Sequence, residues 1–140
     1  MVARAEPVGG HAIPVSAIRS NNANLRHGYR ERSYMDTMDK IAGLKEILAL
    51  DPKNSFARYG IAVELASRGE TEAAVTEFNK LLERDPDYTA GYFMAAQTLS
   101  KAGRIREAMD RLKAGISCAA RTGNRHALNE MQGMLDELAG

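Results

Sequence analysis

The chain has 140 residues, of which 44% are hydrophobic and 26% are charged, which suits one domain of ordinary size. A net charge of +1 argues against a dedicated binder of nucleic acid or of anionic membranes, because both need a dense basic surface. The single cysteine excludes an internal disulfide and a cysteine-rich zinc site, and no apolar run approaches the roughly 20 residues that span a bilayer. We therefore expect a cytoplasmic protein.

Residues 1–34 differ in composition from the rest of the chain. They contain Pro7, Pro14 and the pair Gly9 and Gly10, and no helical or alternating hydrophobic period runs through them. This composition predicts a disordered arm, and a weakly basic tether is the functional alternative. The folded domain is then expected to span 35–140.

The following part of the chain reads as helices separated by turn-forming residues. Apolar residues at helical spacing run through 36–50, and the helix stops at Asp51 and Pro52 because proline cannot continue it. Asn54 or Ser55 can cap the next helix, which is expected to end at Gly69. The predicted helices lie near 36–50, 55–68, 70–84, 88–101, 104–120 and 124–139.

The turn residues return after a step of 34 residues. Asp51 and Pro52 reappear as Asp85 and Pro86, and Gly69 reappears as Gly103. Small and apolar residues recur at the same step: Ala62 and Ala96, Ala74 and Ala108, Leu65 and Leu99, Phe78 and Leu112. Small side chains let two antiparallel helices approach closely, and helical hairpins of this kind stack to share one continuous core.

This pattern resembles the tetratricopeptide repeat family, whose unit is a helix–turn–helix of about 34 residues. The resemblance covers about residues 36–139. The sequence departs from the family pattern at Arg58, where the family favours an aromatic residue, and at Ala120, where a second closing proline would stand. It implies an all-α fold, a right-handed superhelix of about six helices stacked in antiparallel pairs. Two full repeats, near 55–88 and 89–122, are then flanked by helix 36–50 and a capping helix 124–139.

No arrangement of residues suited to catalysis is present in the sequence. His126 and Glu130 share a helix face at a spacing of four residues, which favours a solvated pair over half of a metal site. Cys118 stands among apolar residues and reads as a small core residue rather than a reactive thiol. We therefore expect no enzymatic activity, no cofactor and no metal.

The family resemblance implies a concave groove, lined by the first helix of each pair, in which partners bind. Carried over by position, the groove residues are Phe56, Tyr59, Val63 and Ser67, then Phe93, Met94, Gln97 and Lys101, with Leu128 and Met131 from the last helix. Some family members bind the carboxyl end of heat-shock chaperones through clustered Lys, Arg and Asn. Tyr59, Val63 and Met94 stand in those places here, which disfavours that activity and favours an amphipathic helix as the ligand.

Two functions are compatible with such a groove. The first is an adaptor that binds a helical or extended peptide of another protein, and the second is a structural unit that forms a homodimer through the groove or the end helices. A stripe of aromatic residues at helical spacing is also what a core requires. The groove assignment therefore fails if Tyr59 and Phe93 point into the interior of their own helix stack.

Overall fold

The computed structural model describes residues 40–140, and within that range the chain forms six helices and no strand. Helix α1 is described from residue 40 and ends at residue 50. The others are α2 Ser55–Ser67, α3 Thr71–Arg84, α4 Thr89–Lys101, α5 Ile105–Thr122 and α6 Arg125–Ala139. The predicted all-α fold is confirmed, whereas the predicted arm of residues 1–34 and the start of α1 lie outside the described residues.

Two helices begin at asparagine caps. The Oδ1 atom of Asn54 accepts a hydrogen bond of 2.9 Å from the backbone N–H of Ala57, and Asn124 accepts one of 3.1 Å from Ala127. Each bond satisfies a backbone donor that the first turn of a helix leaves without a partner. The caps therefore fix where α2 and α6 begin.

The first helix of each full repeat ends at a glycine. Gly69 and Gly103 follow α2 and α4 with φ angles of 79° and 80°, which side chains other than glycine rarely adopt. After Gly69, the N–H of Glu70 donates to the carbonyl of Leu65 at 3.0 Å, which closes the helix end. The two predicted helix ends are confirmed, each within two residues.

The helices pack in chain order. α2 contacts α3, α3 contacts α4, α4 contacts α5, and α5 contacts α6. Smaller contacts join α2 to α4 and α4 to α6, so the first helices of successive pairs lie side by side. Helix α1 packs against α2: a β-carbon built at Gly60 of α2 would lie 2.9 Å from the Leu44 side chain of α1.

The core follows the repeated residues. Ala62, Ala74, Ala96 and Ala108 have no exposed surface, as expected for positions where two helices touch. Large residues fill the space between the helices, and the fully buried ones include Phe78, Leu81, Leu99 and Leu112. They belong to two clusters, one around Phe78 in the first repeat and one around Leu112 that reaches α6.

Helix α5 extends beyond its predicted end. Instead of stopping at Ala120 it continues to Thr122 and ends at Gly123, whose φ angle is 75°. Alanine at this position allows the helix to continue, whereas Pro86 follows the end of α3 one repeat earlier. As a result, α6 begins 36 residues after α4, although α4 begins 34 residues after α2.

Candidate partner-binding groove

A groove of about 460 Å³ lies between the C-terminal halves of α2 and α4. Five of the predicted site residues line it: Val63 and Ser67 from α2, and Met94, Gln97 and Lys101 from α4. These side chains come together because α2 and α4 are equivalent helices of neighbouring repeats, and such helices lie side by side. The ends of the two helices thus form one concave surface.

Five further lining residues are absent from the sequence-based prediction. They are Ala66, Gly69, Thr71, Thr98 and Ala102. Thr98 and Ala102 directly follow predicted positions in the chain, and Ala66 directly precedes one. The other two belong to the turn after α2 and the start of α3. Gly69 and Gly103 indicate in the sequence where α2 and α4 end. The groove lies beside these two turns, so the two glycines also indicate its position.

Two hydroxyl groups in the groove donate to their own helices. Ser67 Oγ donates to the carbonyl of Glu64 at 2.8 Å, and Thr98 Oγ1 donates to the carbonyl of Met94 at 2.8 Å. Bonds of this kind occupy the hydroxyl hydrogen and leave only lone pairs facing outward. These two residues therefore offer acceptors, but no free donor, to a bound partner.

The amide of Gln97 and the ammonium of Lys101 make no hydrogen bond or ion pair with any residue in 40–140. Gln97 is half-buried, and Lys101 is exposed at the end of α4. Both groups carry N–H donors that the described part of the chain leaves without an acceptor. Lys101 is also the one charged residue among those that line the groove.

The acidic residues on either side of the turn between α2 and α3 have basic partners. The pairs are Glu64 with Lys40 at 3.2 Å, Glu70 with Arg68 at 3.0 Å and Glu72 with Arg104 at 2.5 Å. Their negative charge is offset locally. None of the three lines the groove.

Tyr59 and Phe93 do not line the groove, which corrects the prediction for both. The Tyr59 ring packs edge-on against Phe78, with centroids 6.5 Å apart, and lies 5.2 Å from the Tyr88 ring. Partial burial raises the pKa of the Tyr59 hydroxyl above its ordinary value, because it disfavours the charged form. Phe93 is half-buried and packs against the cluster around Leu112. Both aromatic residues therefore serve the packing of their own stack, so the groove assignment that depends on them fails. What remains is the groove lined by Val63, Ser67, Met94, Gln97 and Lys101.

Met131 is fully buried, so its predicted place in the groove is wrong. It stands six residues after the start of α6, as Ile61 does in α2 and Ala95 does in α4, and both of those residues are buried. Met131 stands 34 residues after Gln97, but α6 begins 36 residues after α4, so the 34-residue step does not align these two helices. Counting from the start of the helix assigns Met131 to the core.

Leu128 lies in a different cavity from the other predicted residues. It is half-buried and packs against the cluster around Leu112. It also lines a cavity of about 280 Å³ at the turn between α5 and α6. Its place three residues after the helix start corresponds to Tyr92 in α4. Leu128 is therefore also removed from the predicted groove.

Phe56 is outside the groove but remains at the surface. Its side chain is 73% exposed, and Leu50, at the end of α1, is 89% exposed. The two residues stand on either side of the turn that joins α1 to α2. They are the most exposed large hydrophobic residues among those described.

The described residues contain no cluster of acidic, histidine or cysteine side chains that could hold a metal ion. His126 and Glu130 are 3.6 Å apart on the exposed face of α6, and Cys118 is buried with its sulfur 3.4 Å from Thr89 Oγ1. No helix in residues 40–140 has the length and hydropathy of a membrane span.

Comparison with known proteins gives consistent results. The sequence model of the tetratricopeptide repeat matches residues 65–128. A TPR repeat-containing protein of Pseudomonas aeruginosa is 30% identical over 98 residues, which cover 70% of this chain and 93% of the relative. A solved tetratricopeptide repeat domain protein from Salinibacter ruber is 30% identical, with a TM-score of 0.59 over 63% of this chain and 89% of its own.

A more distant structure agrees in fold over a longer stretch. The TPR2B domain of yeast Sti1, solved in complex with pHsp70, has a TM-score of 0.69 and covers 87% of this chain and 97% of its own. The two sequences are 19% identical, so this likeness concerns the fold.

Proposed function

This chain belongs to the tetratricopeptide repeat family, and on that premise we propose that it is an adaptor that binds a peptide segment of another protein in the groove between α2 and α4. Membership in this family identifies a protein-interaction module in general terms. The proposal adds the location of the site and the kind of ligand, an amphipathic helix or an extended peptide.

One observation carries the proposal: side chains from equivalent helices of two repeats line a single apolar groove. Val63, Ala66 and Met94 supply aliphatic surface, and their helices lie side by side. Methionine is flexible and polarisable, so it can adapt to side chains of different shape. A concave apolar surface with a few polar groups is the usual form of a recognition site.

A solved structure with the same fold supports the proposal that this chain binds another protein. The TPR2B domain of yeast Sti1, which shares the fold, was solved in complex with pHsp70. The groove here differs in chemistry from a strongly basic site, because Lys101 is the one charged residue that lines it. Apolar contact is therefore expected to supply most of the affinity.

A bulky residue placed in the groove tests the proposal. Peptides would first be selected with the wild-type protein from a phage-displayed library of random linear peptides. Ser67→Trp introduces an indole at an exposed lining position and is expected to lower the affinity for the selected peptides by about tenfold or more, because it occupies their space. Affinity would be measured by calorimetry.

The matched control is Ser117→Trp, which makes the same substitution at an exposed position of α5 that does not line the groove. Its affinity should equal that of the wild type. Equal affinity in all three proteins, with circular dichroism unchanged, would reject the groove as the binding site.

Self-association is the competing function, and the exposed Leu50 and Phe56 side chains favour it. Stacking of a second copy on α6 is disfavoured by Gln132, which stands seven residues after the helix start, where Ala62 and Ala96 allow close approach in α2 and α4. The Gln132 amide is exposed and donates to Asp136 at 2.9 Å. We expect light scattering to give the mass of a monomer, whereas a dimer mass would support the competing function.

A further inference from the structure

We infer that the segment bound in the groove carries a side-chain carboxylate and, roughly 10 Å from it, an aliphatic anchor residue, and that Lys101 pairs with this carboxylate. The inference rests on the proposed function and adds the chemistry of the partner. Three observations on the groove support it: its free donors, its charge and the distance between its apolar and cationic parts.

The groove presents free N–H donors at Gln97 and Lys101. The hydroxyls of Ser67 and Thr98 donate to backbone carbonyls of their own helices, so they have no hydrogen left for a ligand. Gln97 and Lys101 have no acceptor within residues 40–140. A partner that covers these two side chains without supplying acceptors would leave N–H groups unsatisfied, at a cost in affinity. A ligand that brings oxygen atoms to this side of the groove avoids that cost.

The local charge favours an anionic acceptor over a neutral one. The acidic residues on either side of the turn between α2 and α3 are paired with Lys40, Arg68 and Arg104. Lys101 makes no ion pair with a described residue and is the one charged lining residue. A carboxylate placed beside it gains a charge-assisted hydrogen bond without displacing an existing pair.

The distance between the two parts of the site requires two different residues of the ligand. Met94 and Lys101 are seven residues apart in α4, which corresponds to about 10 Å along a helix. An aliphatic anchor over Val63 and Met94 is therefore separated from a carboxylate at Lys101 by about two helical turns. No single residue supplies both groups, and an internal segment of a partner presents the carboxylate on a second side chain.

Charge exchange between the protein and the selected peptides tests this inference. In peptides selected from the random library with the wild-type protein, we expect an enriched pair formed by an aliphatic residue and an Asp or Glu. Lys101→Glu should weaken binding of such a peptide by roughly three- to tenfold, because an ion pair becomes a repulsion. Replacing the peptide's acidic residue with Lys should restore affinity to the Lys101→Glu protein.

Two controls separate the possible results. Lys113→Glu reverses an exposed lysine of α5 outside the groove and should leave affinity unchanged, and Lys101→Arg should retain binding. Each peptide would be made with a free and with an amidated carboxyl end. Loss of affinity on amidation would overturn the inference in favour of recognition of a chain end.

Failure of the inference differs from failure of the proposed function. Peptides that bind without an acidic residue, and that Ser67→Trp weakens while Lys101→Glu does not, overturn the role of Lys101 and leave the groove in place. Peptides that are indifferent to Ser67→Trp overturn both. The inference expects that the peptide with Lys in place of its acidic residue binds Lys101→Glu with restored affinity. The same peptide should gain no affinity for Lys113→Glu.

Discussion

Gly115 shows how a single residue controls the approach of three helices. It occupies the place in α5 that Leu81 has in α3, one 34-residue step earlier, and it is buried. A β-carbon built at this position would lie 2.7 Å from the Cβ of Tyr92 and would also overlap the sulfur of Met131. The Tyr92 Cβ is attached directly to the backbone of α4, so it cannot move away cheaply. The absence of a side chain here lets α4 and α6 pack against α5.

Substitution of two helical glycines by alanine should therefore have opposite effects. Gly115→Ala should lower the free energy of unfolding by about 1–2 kcal/mol, because the overpacking cost exceeds the gain in helix propensity. Gly133→Ala is the matched control: its β-carbon would meet no atom within 4 Å, so we expect a gain of about 0.5–1 kcal/mol. Urea titration followed by circular dichroism measures both. Equal changes in the two variants would contradict the packing described at Gly115.

At the scale of helices, the repeat explains what could be read from the sequence. Asp85 and Pro86 mark the end of α3, Gly69 marks the end of α2, and Asn54 caps α2. Each of these residues acts within one turn of helix, so its effect is visible without knowledge of the rest of the fold. The small residues at a step of 34 then predicted which helices would touch.

The last helix was harder to predict, because its alignment depends on the length of the helix before it. Ala120 carries no stop signal, and α5 ends at Gly123 instead. Because of this longer helix, Met131 lies in the core and Leu128 lies outside the predicted groove. The cap at Asn124 was a usable signal, since counting from it, as from Asn54, gives the correct buried positions.

Replacing Ala120 by proline tests the extension of α5. In the family pattern a proline fits this position, but here Ala120 lies within the helix. Proline would remove a backbone hydrogen bond and clash with the preceding turn, so Ala120→Pro should destabilise the protein by about 3 kcal/mol. Ala120→Ser, at the same exposed position, should change stability by no more than about 0.5 kcal/mol. A harmless proline would mean that α5 ends before residue 120.

At the scale of the whole described domain, the aromatic residues predicted for the groove, Tyr59 in α2 and Phe93 in α4, do not line it. Tyr59 and Phe93 pack against the cores and do not line the groove, which Gln97 and Lys101 do line. Val63 and Met94 do both, because they pack against the cluster around Phe78 and also line the groove. Family position alone could not separate the two groups, because one helix face serves both the core and the groove. The distinction depends on neighbours such as Phe78 and Tyr88, which only the packed structure brings close to Tyr59.

The central claim is that a partner lies along α2 and α4, on the side where the first helices of the repeats meet. Nuclear magnetic resonance spectra of the ¹⁵N-labelled full chain, recorded as a selected peptide is added, test it directly. We predict that the largest amide shifts fall on Val63, Gln97, Lys101 and their neighbours. Largest shifts on exposed residues of α3 and α5, such as Thr76 and Lys113, would contradict the account.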